Sequence, residues 1–150
     1  MAGLVVERTS LDGTEVGLRV GTDGRIAEIG PGVRGAPGEE LIDGAGTALL
    51  PGFVNGHTHA AMTLFRGYAD DLPLMEWLQE HIWPAEAKLD AEDVYWGTRL
   101  ACAEMIRTGT VRFWDMYWEP EATARAVADA GLRVTIGAPL IDRMDPAGLP

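Results

Sequence analysis

The chain has 150 residues, 47% hydrophobic and 23% charged, a balance that supports a packed core and excludes disordered, collagen-like and coiled-coil proteins. Its 12 Lys and Arg against 23 Asp and Glu leave a formal charge of -11, which repels nucleic-acid phosphates and anionic lipid surfaces. Cys102 is the single cysteine, Met1 to Arg8 has neither the basic nor the apolar region of a secretory signal, and no apolar run reaches the roughly 18 to 20 residues that span a bilayer. The expectation is a cytoplasmic protein with no nucleic-acid or membrane partner.

In chain order, residues 1–50 alternate short apolar runs with glycine turns. Leu4–Val6, Val16–Val20 and Arg25–Ile29 read as strands, with Gly21-Thr22-Asp23-Gly24 as a hairpin link between the last two. A Pro/Gly loop follows, and Leu41–Asp43 and Thr47–Leu50 are predicted as two further short strands of a small antiparallel sheet. After Pro51 the period changes. Phe53–His59 is predicted as a strand of buried character and its exit. Asp90, with Asp93 three residues on, is predicted to cap a long helix that Gly109 stops. Thr110–Trp114 is the next predicted strand, Glu121–Ala130 the next helix between Pro120 and Gly131, and Leu132–Ile136 a third strand.

Strands alternating with helices of this length specify parallel sheet, either doubly wound or closed as a (β/α)8 barrel. A barrel takes about 250 residues and eight units, so three strands after Phe53 make this chain a barrel fragment if the barrel reading holds. Residues 60–89 exceed the usual βα connection of about 2 to 6 residues, and long insertions at strand ends commonly serve as lids or binding loops.

His57 and His59 stand one residue apart at the end of the first such strand. Residues i and i+2 of a strand share a face, about 7 Å apart, so two imidazoles there can converge on one ion at about 2.0 to 2.1 Å. They are two of the three histidines in the chain. By chemistry alone, metal binding and an ordinary structural role both stay open for the pair.

The stretch Pro51-Gly52-Phe53-Val54-Asn55-Gly56-His57-Thr58-His59, with Arg66-Gly67, Asp70-Asp71-Leu72-Pro73-Leu74-Met75-Glu76-Trp77-Leu78, Ile82-Trp83-Pro84-Ala85-Glu86, Tyr95-Trp96-Gly97-Thr98 and Thr108-Gly109-Thr110, closely resembles the amidohydrolase superfamily. More narrowly it resembles the branch of 5-methylthioadenosine/S-adenosylhomocysteine deaminases and triazine chlorohydrolases. The resemblance implies an α/β protein: an incomplete (β/α)8 barrel, residues 51–150, preceded by part of a small β-sandwich, residues 1–50. It implies one divalent metal, Zn2+ or sometimes Fe2+, with His57 and His59 as the first two ligands. A third histidine, an aspartate and the proton-transfer glutamate and histidine are then expected beyond Pro150, leaving no catalytic residue in this chain. Since catalytic zinc takes about three protein ligands, weak or absent metal binding is expected from these residues alone.

A bound metal brings the pKa of its water from 15.7 toward about 7, and the resulting hydroxide is expected to attack the ring carbon that carries an amino group, releasing ammonia. The expected function is hydrolytic deamination of an adenosine-type nucleoside or related amino-heterocycle, a small-molecule substrate. Its alternatives are hydrolysis of another C–N or C–Cl bond on a heteroaromatic ring, or a non-catalytic truncated chain.

Glu86 matches the family's Trp-Pro-x-Glu pattern, whose glutamate is associated with ribose hydroxyls; without that match, a solvated helix-end charge explains it nearly as well. Trp77 is better read as packing than as a pocket wall, and His81 as a helix-surface residue. Asp115, at the end of the second strand, is expected to make a structural hydrogen bond. Asp70 and Asp71 read as turn residues, and Cys102 as a small buried thiol. Some relatives that bind S-adenosylhomocysteine carry an arginine after the third strand. Gly137-Ala138-Pro139 offers no cation there, and Arg143 is the one nearby substitute.

Overall fold

Leu4–Leu11 (β1) and Thr14–Val20 (β2) pair antiparallel in the computed structural model, which describes residues 3–140. The two residues between them, Asp12 and Gly13, both have positive φ (50° and 80°), the backbone twist that a two-residue hairpin requires. That turn carries β1 past the expected Leu4–Val6, through a register shift between Val6 and Thr9 where Arg8 sits at φ 57°. The Gly21–Gly24 link behaves as expected: Gly21 N–H donates to the Arg25 carbonyl at 2.8 Å, and Ile26–Gly30 (β3) pairs antiparallel with β2.

Glu40–Asp43 (β4) corrects the expectation of an all-antiparallel sheet. It pairs parallel with β1, giving the order β3-β2-β1-β4. The cause is the loop of residues 31–39, too long for a hairpin and, at about 3.3 Å per residue, long enough to return the chain along the full strand before β4 begins. The strand expected at Thr47–Leu50 is also corrected. It reduces to one parallel bridge between Ser10 and Ala48, flanked by Ser10 N–H to Thr47 O (3.0 Å) and Leu49 N–H to Ser10 O (2.7 Å). Val5, Val16, Leu18 and Val33 form the buried apolar set of this compact unit, Met1–Pro51.

The second unit, Gly52–Pro150, is built of parallel strands and helices. Phe53–Thr58 (β5) leads through a tight 3-10 turn, Ala60–Phe65, into a helical stretch over residues 74–86 (α1). Six of its residues, Trp77–Ile82, form a π-helical segment. Pro84 explains the widening: it has no N–H for the Glu80 carbonyl, and its ring would collide with that carbonyl in a regular helix. Ala91–Arg107 (α2), Thr110–Met116 (β6), Pro120–Ala130 (α3) and Arg133–Gly137 (β7) follow, each within two residues of its sequence expectation. The α2 start is a complete capping box. Asp90 accepts from the N–H groups of Glu92 (2.8 Å) and Asp93 (3.0 Å), and Asp93 accepts in return from Asp90 N–H (3.1 Å). Gly109 and Gly131, at φ 82° and 75°, end the two helices in the left-handed conformation.

The strands β5, β6 and β7 lie parallel in that order. The helices cover one face of this sheet, where Phe113 packs with Ala60, Ala101, Cys102 and Val127 and with the partly buried Met105, Ala130, Leu132 and Val134. A second cluster gathers Ala61, Val94, Tyr117 and Ala122. The sequence reading of β5 as a strand of buried character is corrected: Phe53 is 58% and Val54 67% exposed. Within the described residues no helix is long and apolar enough to cross a membrane.

Candidate metal centre

The site forms where β5 ends beside β6. Thr58 stands opposite Asp115 in the parallel register, so His57 and His59 emerge next to Asp115, Met116 and Tyr117. The two imidazole centroids lie 5.4 Å apart with their planes at 83°. With metal–nitrogen bonds of about 2.0 to 2.1 Å and the ring radius added, two imidazoles on one tetrahedral ion place their centroids about 5 Å apart. That spacing is compatible with two imidazoles sharing one divalent ion.

The protonation of His59 supports the same fit. Its Nδ1 lies 2.6 Å from the Met116 carbonyl oxygen, which can only accept, so Nδ1 is the donor and, in the neutral ring, the lone pair sits on Nε2. A metal-binding histidine characteristically donates its other ring N–H to a carbonyl or carboxylate in this way. His57 is exposed and His59 half-buried, and with Gly56, Thr58, Trp114 and Met116 they line an open cleft of about 350 Å³. Trp114 and Met116 escaped the sequence reading. Their signal was strand parity: they alternate with the buried Phe113 and Asp115, and so face away from the helices.

Asp115 is fully buried. One carboxylate oxygen accepts from the Ala60 N–H at 2.8 Å, the structural bond expected of it, while the other has no hydrogen-bond partner among the described residues. Burial raises its pKa, against the lowering effects of the Ala60 N–H, of nearby His59 and of the Met116 N–H. No group of three His, Cys, Asp or Glu side chains able to hold a metal occurs among the described residues.

Glu86, at the end of α1, accepts from the Trp118 indole N–H at 3.3 Å, which ties it to the segment just beyond β6. The neighbouring Tyr117 hydroxyl is buried without a hydrogen bond of ordinary geometry. Burial first, and then the nearby Glu86 carboxylate, push its pKa upward. Trp77 donates its indole N–H to the Tyr68 carbonyl at 3.2 Å, and His81 meets the Tyr68 ring edge to face at 6.1 Å, so both belong to the packing of the insertion. Asp70 and Asp71 are exposed turn residues, Asp71 at φ 65°. Cys102 is fully buried, and burial raises its thiol pKa. Arg143 lies outside the described residues.

Residues 48–148, more than half of the chain, match the amidohydrolase family. A 5-methylthioadenosine/S-adenosylhomocysteine deaminase of Archaeoglobus fulgidus is 54% identical over 81% of this chain and 28% of its own length. A 5'-deoxyadenosine deaminase of Methanosarcina mazei is 58% identical over 80% of this chain and 28% of its own. The chain thus spans less than a third of the length of these curated relatives. Among solved structures, an adenosine deaminase from Xanthomonas campestris with bound zinc superposes with a TM-score of 0.75 at 39% identity, covering 87% of this chain and 32% of that one. An atrazine chlorohydrolase from Arthrobacter aurescens, at 18% identity and TM-score 0.73, covers 90% and 35% and shares the fold. A strand ending in two closely spaced histidines, on an α/β frame found in these solved enzymes and in a sequence that matches the family over most of its length, leads to one assignment: the chain belongs to the amidohydrolase family.

Proposed function

We propose that these residues form the metal-holding start of a hydrolase that deaminates an adenosine-type nucleoside, with His57 and His59 as two ligands of a divalent ion, most simply zinc. The observation that carries the reading is the histidine pair itself: centroids 5.4 Å apart, with the His59 Nδ1–H donating to the Met116 carbonyl. The printed activities of the Archaeoglobus and Methanosarcina relatives, and the zinc of the Xanthomonas structure, support it. In this reading β5, β6 and β7 are the first strands of a (β/α)8 barrel, residues 1–50 contribute to a small β-sandwich, and the remaining ligands and proton carriers come from chain beyond these residues. Burial of the lone Cys102 thiol is in keeping with a cytoplasmic setting.

When bound, a divalent metal supplies Lewis acidity and brings the pKa of a water toward about 7. The protein's own residues do the rest. His57 and His59 would hold the ion, and the Met116 carbonyl keeps the His59 proton on Nδ1. Trp114 and Met116 give the cleft one apolar wall. Glu86, held by the Trp118 indole beside the Tyr117 hydroxyl, would accept from a ribose hydroxyl. Overall, the oxygen of water forms a bond to the ring carbon and the exocyclic C–N bond breaks; one proton of water leaves with the amino group as ammonia and the other remains on the ring nitrogen of the oxo product.

The absence of a cation at Gly137, Ala138 and Pro139 favours substrates without an amino-acid tail, such as 5'-deoxyadenosine or its methylthio analogue. The test is ammonia release by the natural full-length protein from 5'-deoxyadenosine, methylthioadenosine, S-adenosylhomocysteine and a chlorotriazine, with zinc measured in parallel. The first two are expected to be the best substrates, and H57A and H59A to lose both zinc and activity. Chloride release from the triazine alone, no turnover at all, or zinc retained when both histidines are replaced would overturn the reading.

A further inference from the structure

We propose that Asp115 is a positioning residue for His59. It anchors the turn that follows the histidine while its neighbour Met116 fixes the histidine ring. The proposal rests on the metal reading above and concerns the geometry of one ligand. Two bonds reach from the end of β6 to the end of β5, one on each side of His59. The Asp115 carboxylate accepts the N–H of Ala60, the residue directly after the histidine, at 2.8 Å, and the Met116 carbonyl accepts the ring Nδ1–H at 2.6 Å. The backbone that leaves His59 and the rotation of its ring are therefore both set by adjacent residues of one strand.

A carboxylate is a costly choice for the task. Asp115 is 0% exposed and one of its oxygens lacks a hydrogen bond of ordinary geometry among the described residues, with the Met116 N–H as a nearby donor, and a buried carboxylate oxygen so poorly satisfied is disfavoured unless something offsets it. A structural acceptor for a single N–H requires no charge. A ligand-orienting group does gain from one, because imidazoles that share a divalent ion acquire positive charge close to it. Ala60 and Ala61 are also fully buried, so the turn has no slack with which to restore the His59 position once its anchor is cut.

The experiment measures metal affinity of the natural full-length protein by competition with a chromophoric chelator. It also records the visible absorption of the Co2+-loaded form, which reports coordination geometry independently of turnover. D115A is expected to weaken metal binding about 10- to 100-fold, the range typical of groups that orient ligands, and to alter the Co2+ bands. D115N keeps the acceptor for Ala60 but loses the charge, so its affinity is expected to fall between wild type and D115A while its Co2+ bands stay close to wild type. If D115A does not fold, D115E replaces it: the charge stays but the acceptor is displaced by one methylene, and the same weakening is expected. Wild-type affinity and unaltered Co2+ bands in D115A or D115E would overturn the proposal, as would D115N falling as far as D115A. Failure of the underlying metal reading looks different: the wild type takes up no metal, or H57A and H59A take it up undiminished.

Discussion

Gly97 offers a test in which the sign of the effect, and not only its size, is at stake. It lies in the middle of α2, where glycine is a poor choice; replacing it with alanine in an unobstructed helix is worth about 0.8 to 1.0 kcal/mol of added stability. The packing argues the other way. A Cβ at position 97 would sit 2.7 Å from the Ala61 carbonyl oxygen, 2.9 Å from Leu64 Cγ and 3.1 Å from Ala61 Cα. Two of those atoms are backbone and cannot rotate away, so the Ala60–Phe65 turn and α2 must separate. The Thr63 hydroxyl bond to the Gly97 carbonyl, 2.7 Å, would stretch with them. Overpacking of this kind costs about 1 to 3 kcal/mol, and backbone obstruction belongs at the upper end. Subtracting the helix gain leaves a net loss of about 2 kcal/mol, or roughly 4 to 8 °C in Tm for a cooperative unit of about 150 to 250 residues and proportionately less for a larger one. The assay is thermal unfolding of natural full-length protein carrying G97A, followed by circular dichroism. Since Ala61 is two residues from His59, bound zinc measured on the same samples is expected to fall. An unchanged or raised Tm would refute the close approach of α2 to this turn, and with it the idea that the turn is held rigidly behind the histidines.

In the amino-terminal unit, the Arg19 guanidinium lies 2.9 Å from Glu39, and the Ala36 N–H donates to the same carboxylate at 2.8 Å. Both, the arginine first, hold the Glu39 pKa below its ordinary value of 4.5, so the stabilisation is complete above that value and is lost as pH falls through the depressed one. Against E39Q, the stability advantage of the wild type is expected to shrink as pH is lowered below about 4.5, measured by denaturant unfolding at a series of pH values; an advantage that does not change with pH would contradict this. The 150 residues made alone are expected to self-associate. The β5–β7 sheet leaves Phe53, Val54 and Trp114 58, 67 and 57% exposed, and neither β5 nor β7 has a second strand partner among the described residues. Light scattering after size exclusion reads this out, and a monomer with one sharp cooperative thermal transition would contradict it.

Local chemistry carried much of this protein in plain view. Asp90 and Asp93 mark the start of α2 and Gly109 its end, because a capping carboxylate and a residue free to take positive φ are needed within a turn of the helix terminus. The His57/His59 spacing was equally legible, since strand geometry alone puts alternate side chains on one face. Other features depend on residues far apart in the chain. The parallel pairing of β4 with β1 follows from the path of residues 31–39, and the fading of the strand at Thr47–Leu50 from having only Ser10 to pair with. The environment of the histidines belongs to this second class. That the Met116 carbonyl sets the His59 tautomer, that Asp115 holds Ala60 from 55 positions away, and that Glu86 reaches Trp118 all result from β6 lying beside β5. Helix caps and strand parity are decided within a few residues, whereas register between distant strands is decided by packing of the whole sheet against its helices, and only the folded chain contains that information.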